Sequence, residues 1–237
     1  MYIRPEIEGQ PTTFGVSGKL WRDSLVMYDR TSLSLWSQVQ GRAVAGPREG
    51  ERLGELPSVV STWGAWKTLH PNSLVLVKPP LKDAPYAPYF RNTRRVGLFW
   101  SKNGDKRLPA KELVFGIARD DGQVAVPLTM LQERFVVNAM TFEGPTVFFS
   151  PVGEQAVGAF SRDVDGRALT FDSVGTSGAR EVRDVETGSR WAWDRGICVQ
   201  GPLEGRRLEP LAGTLAFWAI WARHYPQTRI LTLDEEP

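Results

Sequence analysis

The 237-residue sequence predicts an α+β, β-dominated fold of two homologous units, each a mainly antiparallel sheet with a short Trp-bearing helix. Three observations predict it. The stretches "STWGAWKTLHP" (Ser61 to Pro71) and "GTLAFWAIWARHYP" (Gly213 to Pro226) each carry two tryptophans three apart, then a Pro five residues on. The offset of 155 residues that takes Trp63 to Trp218 also takes Asp29 to Asp184, Trp36 to Trp191, Gly46-Pro47 to Gly201-Pro202, Leu53 to Leu208 and Leu56 to Leu211. A fixed offset repeated in order is the signature of a duplicated unit. The third observation is the series of short aromatic and β-branched runs separated by Gly, Asp and Ser turns, which read as strands.

In chain order, "PTTFGVSG", "DSLVMYD" and "LSLWSQVQGRAVAG" supply the first β stretch, and Gly46-Pro47 ends it because Pro cannot donate to a ladder. Ser61 or Thr62 is placed to cap a helix through its side-chain oxygen. Trp63, Trp66 and Leu69 then share one helical face, read as core. His70-Pro71 stops the helix, since the residue before Pro is driven out of the α region. "NSLVLV" (Asn72 to Val77) reads as a strand matched by "QTRILTL" at the other end of the chain. Residues 78–107, rich in Pro, Tyr and basic side chains, read as a linker between a first unit at 1–77 and a second at 108–237.

The second unit opens with a long lead-in, Leu108 to Val164, with a hairpin turning at Asp121-Gly122, a helical turn at "TMLQ" and a strand pair turning at Glu143-Gly144. Its β stretch runs through "RALTFDSVG", "REVRDVETGSRWAWD" and "GICVQGP". The first unit has only about a dozen residues before Phe14, so its lead-in is missing. An incomplete unit leaves an unpaired edge or apolar face, which would suit a homodimer.

Composition narrows the function. A hydrophobic share of 41% and a charged share of 24% are those of a soluble globular chain. A net charge of +2 gives no reason to expect a nucleic-acid partner, and "RNTRR" (Arg91, Arg94, Arg95) with "KNGDKR" (Lys102 to Arg107) reads as a solvated loop. One cysteine, Cys198 in "GICV", excludes an intrachain disulfide and a Cys-based zinc site, and reads as a buried thiol. No run approaches the roughly 18 apolar residues of a membrane span. The N-terminus lacks a signal-peptide pattern, so the chain as written reads as soluble and cytoplasmic. No cofactor and no metal are expected.

The stretch "TTFGVSGKLWRDSLVMYDRTSLSLWSQVQGRAVAGP" followed by "STWGAWKTLHPNSLVL" resembles the family known as domain of unknown function 3179. "RLPAKELVFGIARDDGQVAVPL" and "DVDGRALTF" are similar to it as well, so the resemblance covers nearly all of Thr12 to Leu231. It implies a bacterial or archaeal protein with no settled activity, of a family whose full-length members are often exported. It also implies an upstream segment with a Cys-Pro-x-Cys-Gly stretch. That segment is absent here, so no thiol role is carried over, and the chain reads as a fragment or an internal start.

Candidate chemistry is sparse. His70 and His224 each sit beside a helix-ending Pro, where a His favours the helix C-terminus or serves as a general base. "GVSG" (Gly15 to Gly18) and "GTSG" (Gly175 to Gly178) look like nucleophile turns, but Lys19 and Ala179 replace the closing Gly, and a plain turn between strands is the simpler reading. If Ser17 is a nucleophile, His70 as base and Asp29 as orienting acid are the partners to nominate. The cluster "VMYDRTSLSLWSQ" supplies Tyr28, Arg30, Trp36 and Gln38 as ligand-binding candidates, with Trp36 and Gln38 on one strand face. The alternative there is a hairpin with a turn salt bridge. Trp21, Trp36, Trp100, Trp191 and Trp193 are candidate exposed platforms for a sugar ring. The expectation is binding of a small polar or sugar-like ligand in a cleft of the first unit or between units. The alternative is a promiscuous hydrolase of carboxyl or phosphate esters.

Overall fold

Short strands, tight turns and few long periodic runs leave the chain little choice but to stack small sheets. The computed structural model describes residues 1–7, 9–77, 87–93, 96–97, 104–150, 156–175 and 181–232, and it is β-dominated, with several antiparallel sheets and few short helices. A first four-stranded meander runs Phe14–Trp21, Ser24–Asp29, Leu35–Ser37 and Arg42–Ala45, each strand antiparallel to the one before. A second runs Phe171–Val174, Glu181–Asp184, Arg190–Ala192 and Ile197–Gln200 in the same order. Between them lie a three-stranded antiparallel sheet (Val136–Thr141, Gly144–Phe149, Gly158–Ser161) and a central sheet. The central sheet takes the hairpin Leu113–Ala118 and Gln123–Pro127, with Thr214–Phe217 antiparallel on one edge and Arg229–Ile230 parallel on the other.

Side-chain alternation explains the layering. Phe148 packs with Phe115, Ile117 and Val126 of the central sheet, whereas Val147 and Phe149 pack with Phe171, Val182 and Trp191 of the second meander. The continuous apolar run "VFF" is therefore a strand buried on both faces. The far face of the central sheet, through Val114 and Ala125, carries Trp218 and Trp221 of the helix Trp218–His224. Gly116 permits that contact: a Cβ there would collide with the Trp221 ring.

The two meanders share a turn lock. Trp36 Nε1 donates to Asp29 Oδ2 at 2.9 Å, and Trp191 Nε1 donates to Asp184 Oδ2 at 2.9 Å. Ser34 Oγ accepts from the Arg48 N–H at 3.1 Å, and Ser189 Oγ accepts from the Leu203 N–H at 3.2 Å. Gly46 and Gly201, with φ of +101° and +111°, pass so close to Ser34 and Ser189 that a Cβ would sit 2.8 Å from the serine Cα in each case.

Several expectations are corrected. Asn72 to Val77 is not a strand: its apolar side chains point to solvent, with Leu74 100% exposed. Trp63 is 52% exposed and Trp66 half-buried, so this pair is not core like Trp218 and Trp221, which are 0% and 1% exposed. The difference lies in what covers them, since the hairpin Leu113–Pro127 lies against the second helix and no such hairpin among the described residues lies against the first. The two hairpin turns are each one residue earlier than read, at Asp120-Asp121 and Phe142-Glu143, fixed by the Ala118–Gln123 and Thr141–Gly144 pairings. Thr62 Oγ1 caps the first helix by accepting from the Ala65 N–H at 3.2 Å. Most of the linker lies outside the described residues, as do Arg94, Arg95, Trp100, Lys102 and three residues of "GTSG".

Candidate functional site

The helices Trp63–Leu69 and Trp218–His224 end alike. Their caps, His70 and Tyr225, share one backbone conformation (φ −131°, ψ 68° and φ −134°, ψ 71°), and each cap N–H bonds back to the second Trp of its helix. The cap ring then lies on that indole, with centroids 4.2 Å apart for Trp66–His70 and 4.4 Å for Trp221–Tyr225. Each indole N–H is anchored to a hydroxyl seven residues on, Ser73 at 2.8 Å and Thr228 at 3.1 Å. The local sequence thus sets the ring stack, and the only chemical change at the cap is His for Tyr.

Each helix also meets the meander from the other half of the chain. Trp221 and Tyr225 pack against Val39 of the first meander in one apolar cluster, with a residual space of only about 10 Å³. Trp66 and His70 instead face the second meander across a cleft of about 570 Å³. Asp194, the residue at the offset position of Val39, projects into it, and His70 Nε2 lies 3.1 Å from Asp194 Oδ2, the carboxylate accepting. The Asp194 side chain is only 6% exposed, and Arg195 Nε approaches it at 3.6 Å. Arg207 and Ser58 line the same cleft, with apolar walls from Val59, Phe160 and Leu211.

In the tautomer whose Nε2–H donates to Asp194, His70 presents Nδ1 as an acceptor. A carboxylate that orients an imidazole is one half of a general-base arrangement. A neighbouring recess of about 480 Å³, shared with the first meander, differs in that both of its arginines are paired with carboxylates. Arg119 there bridges Glu55 and Glu143 at 3.2 and 3.0 Å, and Arg52 pairs with Asp120.

The sequence-nominated residues fall elsewhere. Ser17 Oγ donates to the Val26 carbonyl at 2.6 Å. Asp29 is fully buried, and both of its oxygens are taken within its own turn, by the Ser32 N–H, the Ser32 hydroxyl and the Trp36 indole. Burial pushes its carboxyl up, but those hydrogen bonds outweigh it and hold the group below the ordinary carboxylate range. His70 finds its carboxylate in Asp194 rather than Asp29.

Trp36, 0% exposed, offers no platform to a ligand, and Trp191 is likewise buried. Gln38 does not share the Trp36 face, because the strand ends at Ser37 and Gln38 enters an exposed turn. Tyr28 and Arg30 do come together, the guanidinium 5.5 Å from the ring centroid, at the surface, with Arg30 also donating to the Phe14 carbonyl at 2.7 Å. Trp21 is exposed and Trp193 half-buried. Cys198 is buried, and burial pushes its thiol up.

Asp194 and Arg207 were missed. A signal for Asp194 existed, because the offset sets a carboxylate against Val39. Its partner lies 124 residues away, beyond the reach of any local pattern. Among the described residues, no group of three or more His, Cys, Asp or Glu is placed to hold a metal ion. No helix among them is long and apolar enough to cross a membrane.

Residues 1–228 match the family described as protein of unknown function DUF3179, and the chain belongs to that family. No curated protein matches the chain. No solved structure matches it either.

Proposed function

We propose that this chain binds a small polar ligand in the cleft between the first Trp helix and the second meander. The observation that carries this reading is the His70–Asp194 pair at 3.1 Å, set beside Trp66 in a cleft of about 570 Å³. Ligand sites are commonly of this size, mostly apolar, with a few convergent polar groups. The matched caps, ring stacks and turn locks support treating the two halves as copies of a duplicated unit. On that view the polar cleft has arisen at one of two equivalent places, the other being closed by Tyr225 and Val39.

A screen of small acids, sugars and nucleosides by ligand-induced thermal shift tests the reading. Binders should lose at least about tenfold in affinity in His70→Ala while keeping it in Ser17→Ala. Binders indifferent to His70→Ala would remove the cleft as the site.

The hydrolase reading has one specific support, the orientation of His70 by a sheltered carboxylate. In that reading His70 Nδ1 takes a proton from water as its oxygen attacks a carboxyl or phosphate ester, Asp194 steadies the imidazolium, and the ester C–O or P–O bond breaks as that proton passes to the departing alkoxide. Turnover of chromogenic esters that falls by two orders of magnitude or more in both His70→Ala and Asp194→Asn would establish it. Equal turnover in wild type and variants would dismiss it.

A further inference from the structure

We propose that the cleft takes a small organic carboxylate, its carboxylate seated on Arg207 and its apolar body against the walls beside Trp66; this rests on the cleft being the ligand site. Arg207 lines the cleft, and among the described residues its guanidinium makes no hydrogen bond or ion pair. The other charges are already committed, because Asp194 serves both His70 and Arg195. Among the cleft's described side chains Arg207 is therefore the cation in excess, beside the Met1 terminus, whose ammonium donates to the Leu56 carbonyl.

The kind of anion is indicated by the equivalent arginine. At the same offset that relates the two helices, Arg207 corresponds to Arg52, and Arg52 is paired with the carboxylate of Asp120. Asp120 sits at the tip of the hairpin Leu113–Pro127, which lies against the second Trp helix and has no counterpart beside the first among the described residues. The arginine is thus present at both places, whereas among the described residues the carboxylate is supplied at only one. A guanidinium presents its donors in a planar fork that a carboxylate fills with two parallel hydrogen bonds.

The walls specify the rest of the ligand. Val59, Phe160, Ile197 and Leu211 accept hydrocarbon, and Trp66 offers a ring against which an aromatic or aliphatic group packs. The His70–Asp194 pair lines the same cleft and is available to a second polar group.

Calorimetric titration of the full chain with 4-phenylbutyrate, its primary amide and phenyl phosphate tests this directly. The carboxylate should bind about tenfold tighter than the amide, the scale of one charge-assisted pair. In Arg207→Gln that gap should shrink to about twofold, while Arg52→Gln should leave it intact. Arg207 is exposed, so its replacement leaves the fold in place, which a thermal melt verifies. Equal affinity for acid and amide, with both lost in His70→Ala, overturns the carboxylate while sparing the cleft. A gap that survives Arg207→Gln, tighter binding of phenyl phosphate, or binding of none of the three also overturns it.

Discussion

The helices Trp63–Leu69 and Trp218–His224 carry the same tryptophan spacing, stop at the same cap geometry and anchor their second indole the same way, yet one is core and the other is a surface feature. The second is sheltered by a hairpin that buries Trp218 and Trp221 and gives the chain after the helix a strand to pair with, Arg229–Ile230 on Val124-Ala125. Beside the first, Leu74 to Val77 stands exposed and pairs with no strand among the described residues. A local pattern dictates a helix and its stop. Whether its indoles stabilise the protein depends on what is packed over them.

The comparison can be broken most forcefully at Trp221. Trp221→Ala should cost about 3–5 kcal/mol, the price of emptying a large buried aromatic site, whereas Trp63→Ala should cost under about 1 kcal/mol. Paired urea unfolding curves decide it, and equal losses would mean that Trp63 is covered in solution.

A somewhat smaller effect distinguishes the ends of the helices. His224 is buried, and burial, with Arg22 and Arg223 adding positive charge nearby, pushes its imidazole down from 6.5 to about 4. The unfolded chain binds the proton more tightly, so this contribution is whole above about pH 6.5 and lost as pH falls towards 4. About 3 kcal/mol should disappear across that window, and His224→Phe should flatten the profile there. An unchanged slope in that variant would assign the acid sensitivity to other groups.

The turn locks offer a control in which the two halves should agree. Asp29→Asn and Asp184→Asn each replace a charged acceptor by an amide, and each should cost about 1–3 kcal/mol by thermal unfolding. A lock that proved silent in one meander would show that the meanders do not bear load equally. Smallest of all, Leu74→Ser and Leu76→Ser should change stability by less than about 0.5 kcal/mol, because their side chains already stand in water. A large loss at either would reveal a partner surface over the first helix.

Much of the architecture was legible before any coordinates. The Trp-x-x-Trp helices, their Pro stops, the Thr62 cap and the strand runs of both meanders follow from short-range sterics and hydrogen bonding, which act within a few residues. The β-dominated class followed from the same signals. The candidate site was legible only in part. His70 stood out as one of two histidines, but Asp29, in plain view at the end of its strand, is consumed by its own turn. Trp36 looked like a platform because aromatic side chains serve both cores and ligands, and burial alone separates the two roles.

By itself, then, the sequence determined the local elements and the offset that relates them, since backbone sterics and nearest-neighbour bonding need no distant partner. The tertiary structure decided which Trp helix is buried, brought His70 and Asp194 together across 124 residues, and gave Arg52 a carboxylate that Arg207 lacks among the described residues. Each of these depends on residues far apart in the chain, fixed only once layers pack and the hairpin Leu113–Pro127 covers the second helix.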